Sequence, residues 1–258
     1  MVALPEGRLL VRVTLVGDIG WKRDKAVMKD TSIAFTSGRL NCVMGPNGSG
    51  KTTMLLTLGG ALKPIRGRVE LFPPSARKIY LPSAPPLLYG FTIGMVLSYY
   101  TLRHKSLLLK PDEESIKRAI ELLKVWNVTY GLDHRHDFLS SGEAQKVVLS
   151  AALSSNAEAL FLDEPNSHLD VHGRMVLYEL LRRESKRRLI VISLHDVNEA
   201  SLYCDEVLLL GKGSIVGHGS PNDVLSLENL SKAYNLDFKL VRSDGFRLFV
   251  PLPRQRGA

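Results

Sequence analysis

No run in this sequence reaches the roughly 18 consecutive apolar residues of a membrane helix. The strongest stretches, Leu189 to Leu194 and Val207 to Leu210, are strand-sized and end in polar residues. The chain is therefore not expected to cross a bilayer by itself. A continuous apolar segment is also missing between Met1 and Ile19, where Glu6, Arg8, Arg12 and Asp18 intervene, so no secretory leader is expected and the cytosol is the expected compartment. Cysteine is scarce. Cys42 and Cys204 are the only two, each inside an apolar segment, and they are expected to act as small buried hydrophobes rather than as a disulfide or metal pair. Aromatic residues do not interleave the basic clusters Lys22-Arg23-Asp24-Lys25 and Arg182-Arg183-Glu184-Ser185-Lys186-Arg187-Arg188, which therefore read as solvated faces. Repeats and low-complexity tracts are absent too.

What is present is the balance of a globular enzyme or binding module: 258 residues, 45% apolar and 23% charged, enough for one large domain or two small ones. The net charge of +8, from 34 Lys and Arg against 26 Asp and Glu, fits nucleic acid, an anionic membrane surface or anionic substrates, and does not choose among them.

The pattern along the chain is more decisive. Leu9 to Val16, Ile33 to Phe35 and Leu40 to Met44 read as strands, and an apolar helix is expected over Met54 to Leu62. Arg68 to Phe72 and Lys78 to Leu81 are two further expected strands. Pro111-Asp112-Glu113-Glu114 opens a helix whose stripe is Ile116, Ile120, Leu123 and Trp126, and Ser141 to Leu153 is a second. Strands at Ala159 to Leu162 and Leu189 to Leu194 then alternate with helices at Arg174 to Glu184 and Val197 to Tyr203, which implies a mostly parallel sheet covered on both faces. The tail holds two short strands from Val207, helical turns over Pro221 to Tyr234, and a hairpin with Ser243-Asp244-Gly245 at its turn.

Between the strand ending at Met44 and the helix stands Gly45-Pro46-Asn47-Gly48-Ser49-Gly50-Lys51-Thr52-Thr53. This is the phosphate-loop pattern, in which backbone N–H groups and a helix N-terminus together cradle an anion. Lys51 is placed for the β- and γ-phosphates of a nucleotide, and Thr52 for Mg²⁺. Such a site needs a second carboxylate at a buried strand end, which Asp163 supplies. Glu164 follows it and is the candidate base or positioner for the attacking water. Two metal-like spacings, Asp133-His134-Arg135-His136-Asp137 and the His168/His172 pair, are set aside because they lie in polar loops.

Leu139-Ser140-Ser141-Gly142-Glu143-Ala144-Gln145 resembles the signature motif of the ATP-binding cassette ATPases, with Ser141 in place of a glycine and Glu143 in place of a glutamine. Asp163-Glu164-Pro165-Asn166-Ser167-His168-Leu169-Asp170 resembles that family's acidic strand end and the loop after it, and Leu194-His195-Asp196 its switch histidine. The resemblance implies an α/β P-loop fold with a RecA-like core, an antiparallel β subdomain and an α-helical subdomain. It implies a core and β subdomain at 1–84 and 157–220, a helical subdomain at 85–156, and helical turns and a hairpin at 221–258. It further implies ATP with Mg²⁺, bound between the phosphate loop of one subunit and Ser140, Ser141, Gly142, Glu143 and Asp170 of a second copy or a paralogous cassette. Glu164 and His195 would be catalytic. Thr52, Ser83 and Asp163 would face the metal, although Ser83 stands where the family has a glutamine. Trp21 would stack on the adenine.

A free-standing cassette of this length resembles importer ATPases, and Phe91-Thr92-Ile93-Gly94-Met95-Val96-Leu97 resembles those for cobalamin, haem and ferric siderophores. The expected partners are membrane permease subunits and, indirectly, a substrate-binding protein, with no nucleic acid. The expected place is the cytoplasmic face of the membrane. The alternative is a soluble cassette ATPase with a regulatory or nucleic-acid-associated role.

Overall fold

The computed structural model describes residues 10–22, 25–84, 88–101 and 111–252. Leu9 of the first expected strand, Arg23 and Asp24 of the first basic cluster, and Pro85 and Pro86 lie outside the described residues. The first two strands, β1 (Arg12–Lys22) and β2 (Lys25–Thr36), pair antiparallel along most of their length. They are followed by β3 (Leu40–Met44) and α1 (Lys51–Gly59). Next come β4 (Arg66–Phe72), β5 (Lys78–Leu81), α2 (Ile93–Tyr100), α3 (Glu113–Val125) and α4 (Ser141–Ser154). The chain continues through β6 (Ala159–Leu162), α5 (Val171–Ser185), β7 (Leu189–Leu194), α6 (Val197–Tyr203), β8 (Glu206–Leu210) and β9 (Ile215–Gly219). It closes with α7 (Pro221–Val224), α8 (Leu227–Tyr234), β10 (Asp237–Ser243) and β11 (Phe246–Leu252).

The main sheet runs β5-β6-β7-β3-β8-β9, parallel throughout except for β9. Its inner strands are apolar on both faces, and alternate residues feed two cores. Leu160, Leu162, Ile190 and Ile192 pack with α2 to α6 on one side, while Phe161, Leu189 and Val191 pack with α1 and the β2-β1-β4 sheet on the other. Parallel strands place all their C-terminal ends, hence Met44, Leu81, Leu162 and Leu194, along one edge. That edge is where loops can converge on a ligand.

Helix starts are set by side-chain caps. Thr92, Asp112, Ser140, Asp170, Asp196, Ser220 and Ser226 each accept a backbone N–H of the first turn, worth about 1 kcal/mol apiece.

Two expectations are overturned. Cys42 and Cys204 form a disulfide, with Cα atoms 6.1 Å apart across a sequence separation of 162. The topology explains it: β3 pairs with β8, and Asp205 N donates to Leu40 O, which brings the end of α6 against Cys42. The second is overturned at one residue only: Arg182, Arg183, Lys186 and Arg187 of the basic run are exposed as expected, but its last member is not. Arg188 is buried, donating to the carbonyls of Leu153, Ser155 and Ala157 and to Glu184, so it closes the C-terminal end of α4 rather than facing solvent. Burial holds its pKa below the usual guanidinium value, with Glu184 opposing.

Cross-linking so long a loop restricts the unfolded chain. Replacing both cysteines by alanine is expected to lower stability by roughly 2–4 kcal/mol, read as a lower denaturant midpoint in the absence of reductant. Identical midpoints would show that the two thiols are free in solution.

Candidate nucleotide site

The loop from Gly45 to Gly50 leaves β3 and enters α1 with its glycines at positive φ. Gly45 has φ 147°, and a Cβ there would stand 2.5 Å from Leu210 O, so no side chain fits. A Cβ at Gly48 would meet nothing within 4 Å, so that side of the loop is an open cradle. On the Gly45 side of the loop the Ser49 hydroxyl is buried and has no hydrogen-bond partner. Lys51 Nζ donates to Gly45 O at 2.9 Å and Pro46 O at 3.3 Å, curled over its own loop. Burial pulls the Lys51 ammonium below its usual pKa, and the Glu164 and Asp163 carboxylates oppose that pull. An open loop with an orphaned hydroxyl and a backbone-bound ammonium fits the phosphates of a nucleotide. Thr53 lies buried one step along α1, while Pro46 and Asn47 form the outer bend.

The second acidic element arrives on β6. Thr52 Oγ1 donates to Asp163 Oδ2 at 2.8 Å, and Ser193 Oγ donates to Asp163 Oδ1 at 2.5 Å. This oxygen-only pair, Thr52 and Asp163, suits a hard divalent cation such as Mg²⁺. Glu164 has a left-handed backbone at φ 45°, its N–H donates to Ser193 Oγ at 2.9 Å, and its carboxylate is hydrogen-bonded to His195 Nε2 at 2.5 Å. Ser83 follows the end of β5, whose last residue, Leu81, pairs with Leu162 at the end of β6. Its carbonyl accepts from Ser167 Oγ at 3.2 Å.

Trp21 is 64% exposed at the end of β1. Its neighbour Gly20 pairs with Ala26 of β2, and the adjacent Val27 lies where a Cβ on Gly50 would touch it at 2.6 Å, so this end of the β1–β2 pair borders the phosphate loop.

The signature residues stand on a separate helix. Ser140 and Glu143 form a reciprocal capping box at the start of α4, with Ser140 Oγ donating to Glu143 Oε2 at 2.6 Å. Hydrogen bonds from Ser140 and then Tyr130 keep the Glu143 carboxyl below its usual pKa. A Cβ at Gly142 would stand 2.8 Å from His168 O, so the helix packs directly on the loop after Glu164. Ser141 opens the first turn of α4 beside it. Asp170 caps α5 through Gly173 N at 2.7 Å and is bonded to none of the phosphate-loop residues.

The structure adds residues the motif pattern did not flag. Tyr80 is pushed well above the usual phenol range, by burial first and then by Asp163 within hydrogen-bonding reach. Gln145 Nε2 donates to Pro165 O at 3.2 Å, tying α4 to the loop after Glu164. Glu199 gathers Asn166 Nδ2 at 2.5 Å, Tyr178 Oη at 2.8 Å and Arg174 Nη1 at 3.1 Å. Ser193 was detectable in principle as the one hydroxyl in an otherwise apolar buried strand.

A glycine loop at the end of β3, its helix, and a carboxylate pair at the end of β6, two strands away in the same parallel sheet, define a P-loop nucleotide hydrolase. The sequence profile of the family described as "ABC transporter" matches residues 28–167. The hemin import ATP-binding protein HmuV of Shewanella denitrificans is 30% identical, covering 85% of this chain and 91% of that protein. The ferric enterobactin transport ATP-binding protein FepC of Escherichia coli is 28% identical over 88% and 89%. The iron(3+)-hydroxamate import ATP-binding protein FhuC of Bacillus subtilis is 26% identical over 84% and 86%. A solved structure described as an inward-facing conformation of a metal-chelate type ABC transporter shares the fold, with TM-score 0.80 and 22% identity over 95% of this chain and 98% of that one. The chain belongs to the ABC transporter family, as an ATP-binding and ATP-hydrolysing subunit. No helix among the described residues is long and apolar enough to cross a membrane.

Proposed function

We propose that this subunit powers import of a metal chelate, an iron–siderophore, haem or cobalamin, from the cytoplasmic face of a membrane permease. The observation that carries the ATPase chemistry is the convergence of Thr52, Asp163, Glu164 and His195 through direct hydrogen bonds at the end of the phosphate loop. The import ATP-binding relatives support the cargo class.

In this reading ATP lies along residues 45–53, with Trp21 on the adenine. Thr52 and Asp163 would hold Mg²⁺, which would supply charge neutralisation at the phosphates. Glu164 accepts a proton from the attacking water, and His195, already within bonding distance of Glu164, contacts the γ-phosphate. Ser140, Ser141, Gly142 and Glu143, with Asp170, complete the site of a second copy or a paralogous cassette, so ATP joins two subunits and hydrolysis releases them. The assigned subdomains are 1–84 with 157–220 for the core, 85–156 for the helical part and 221–258 for the tail.

An apolar cleft on α2 supports docking to the permease. Phe91, Met95, Tyr99 and Leu132 line it and are exposed, an arrangement that favours an apolar partner helix. A substrate-binding protein would act through that permease. Affinity purification of the tagged subunit from detergent-solubilised native membranes is expected to recover a polytopic permease. Recovery with nucleic acid in its place would support the soluble-ATPase reading and overturn this one.

Ser83 sets a smaller expectation. Its carbonyl contacts the loop after Glu164, but a serine reaches less far than the glutamine of the family pattern, so water is held less well while ATP still binds. Ser83→Gln is expected to raise basal kcat several-fold, about 1 kcal/mol of barrier, with ATP affinity unchanged. Steady-state kinetics of the two proteins check this, and a variant no faster than wild type would refute it.

A further inference from the structure

We propose that Ser193 is a positioning residue for hydrolysis: its hydroxyl locks the Asp163 carboxylate and the Glu164 backbone in one arrangement. The inference rests on the reading of Glu164 as the water-activating group.

Ser193 lies on β7, whose other residues are Leu189, Ile190, Val191, Ile192 and Leu194. It is fully buried and faces the same side as Leu189 and Val191, the side that carries α1. A hydroxyl in that position must be satisfied. It is satisfied twice, donating to Asp163 Oδ1 at 2.5 Å and accepting from Glu164 N at 2.9 Å. One oxygen therefore joins the two consecutive acidic residues of the site, through the side chain of one and the backbone of the other.

The two bonds do different things. Asp163 uses Oδ2 toward Thr52 and Oδ1 toward Ser193, with Tyr80 also within hydrogen-bonding reach, so losing Ser193 removes the hydroxyl donor on Oδ1 and loosens the carboxylate plane. The bond on Oδ1 persists if the Thr52 hydroxyl turns to another ligand. Glu164 is in a left-handed conformation at φ 45°, which a residue with a side chain adopts only when its surroundings hold it there. The bond from its N–H to Ser193 contributes to that hold, beside the turn bond from Ser167 N to its carbonyl. Without it the favoured relaxation is toward negative φ, which swings the Glu164 carboxylate away from His195 and from the phosphate loop. Ser193 touches neither nucleotide nor water in this scheme and acts only through the two acids.

The test uses Ser193→Ala and Ser193→Thr, with Glu164→Gln in parallel. In the nucleotide-free protein, amide hydrogen exchange at Glu164 is expected to be about tenfold faster in Ser193→Ala and to return to the wild-type rate in Ser193→Thr. In turnover, Ser193→Ala is expected to lose kcat by roughly 10- to 100-fold, with KM for ATP and calorimetric ATP affinity within about twofold of wild type. Ser193→Thr should restore most of the rate. Because alanine is nearly isosteric, the melting temperature should move little, which separates this loss from unfolding. Unchanged exchange, unchanged kcat, a loss of ATP affinity equal to the loss of rate, or a Ser193→Thr protein as slow as Ser193→Ala overturns the proposal. An inactive Glu164→Gln beside a fully active Ser193→Ala would defeat the anchor alone, whereas a fully active Glu164→Gln would defeat the reading on which it rests.

Discussion

Glu164→Gln is expected to bind ATP as the wild type does while turning over roughly 10²- to 10⁴-fold more slowly. The amide keeps the shape of the side chain and can still bond to His195, which lies 2.5 Å from the carboxylate, but it cannot accept a proton from water. In the proposed site, ground-state contacts to the phosphates come from the loop and Lys51, which the substitution leaves alone. In the composite-site scheme the variant therefore accumulates in the state that wild type leaves by hydrolysis, an ATP-bound dimer. Size-exclusion chromatography with and without ATP reads the dimer, and phosphate release reads the rate. A variant that hydrolyses like wild type would remove Glu164 from the mechanism.

Lys51→Ala and Ser140→Arg are expected to fail in opposite ways. Lys51 is the ammonium at the cradle, and losing a charge-assisted contact to phosphate costs roughly 1.5–3 kcal/mol, or about ten- to a hundredfold in ATP affinity. That ammonium also donates to the carbonyls of Gly45 and Pro46, so the variant loses two contacts within the loop as well. Ser140 belongs to α4, bonded to Glu143 and to none of the loop residues. An arginine there fills the space in front of the α4 N-terminus, where the second subunit's γ-phosphate would sit. Calorimetry should show near-normal ATP affinity for Ser140→Arg, and sizing should show no ATP-dependent dimer even when Glu164→Gln is added. Equal loss of ATP binding in the two variants would contradict a site shared between subunits.

How much of this could be read from residues alone depended on how local each signal was. Leu189 to Leu194 and Ala159 to Leu162 were legible as buried strands because a parallel sheet needs apolar residues on both faces, and both match the structure to the residue. The helix after the phosphate loop was expected over Met54 to Leu62, but it begins at Lys51 and ends at Gly59, because Gly60 in a left-handed conformation caps the carbonyls of Leu56 and Thr57. The first strand was cut short at Val16 because Gly17 and Gly20 interrupt its apolar pattern, whereas the ladder to β2 continues through them with irregular register. The phosphate loop, Asp163, Glu164 and His195 were legible because each lies at the end of such a strand. Less local features were not. The pairing of Cys42 with Cys204 follows from the order of strands in the sheet, and the burial of Arg188 from where α4 ends. Neither leaves a mark in a short window. Ser193 carries no local signal of its partner because its neighbours are all apolar, and only the packed sheet shows which carboxylate its hydroxyl meets.

The bond between Cys42 and Cys204 turns the chain between them into a covalent ring. The phosphate loop, the α4 signature, Asp163 and Glu164, and His195 all fall inside that ring, while the β1–β2 hairpin and the terminal β10–β11 hairpin hang outside it as two tails. One backbone cut anywhere within the ring opens it without separating the pieces. The motifs on either side of such a cut stay tethered at the foot of β3, in the strand that carries the phosphate loop.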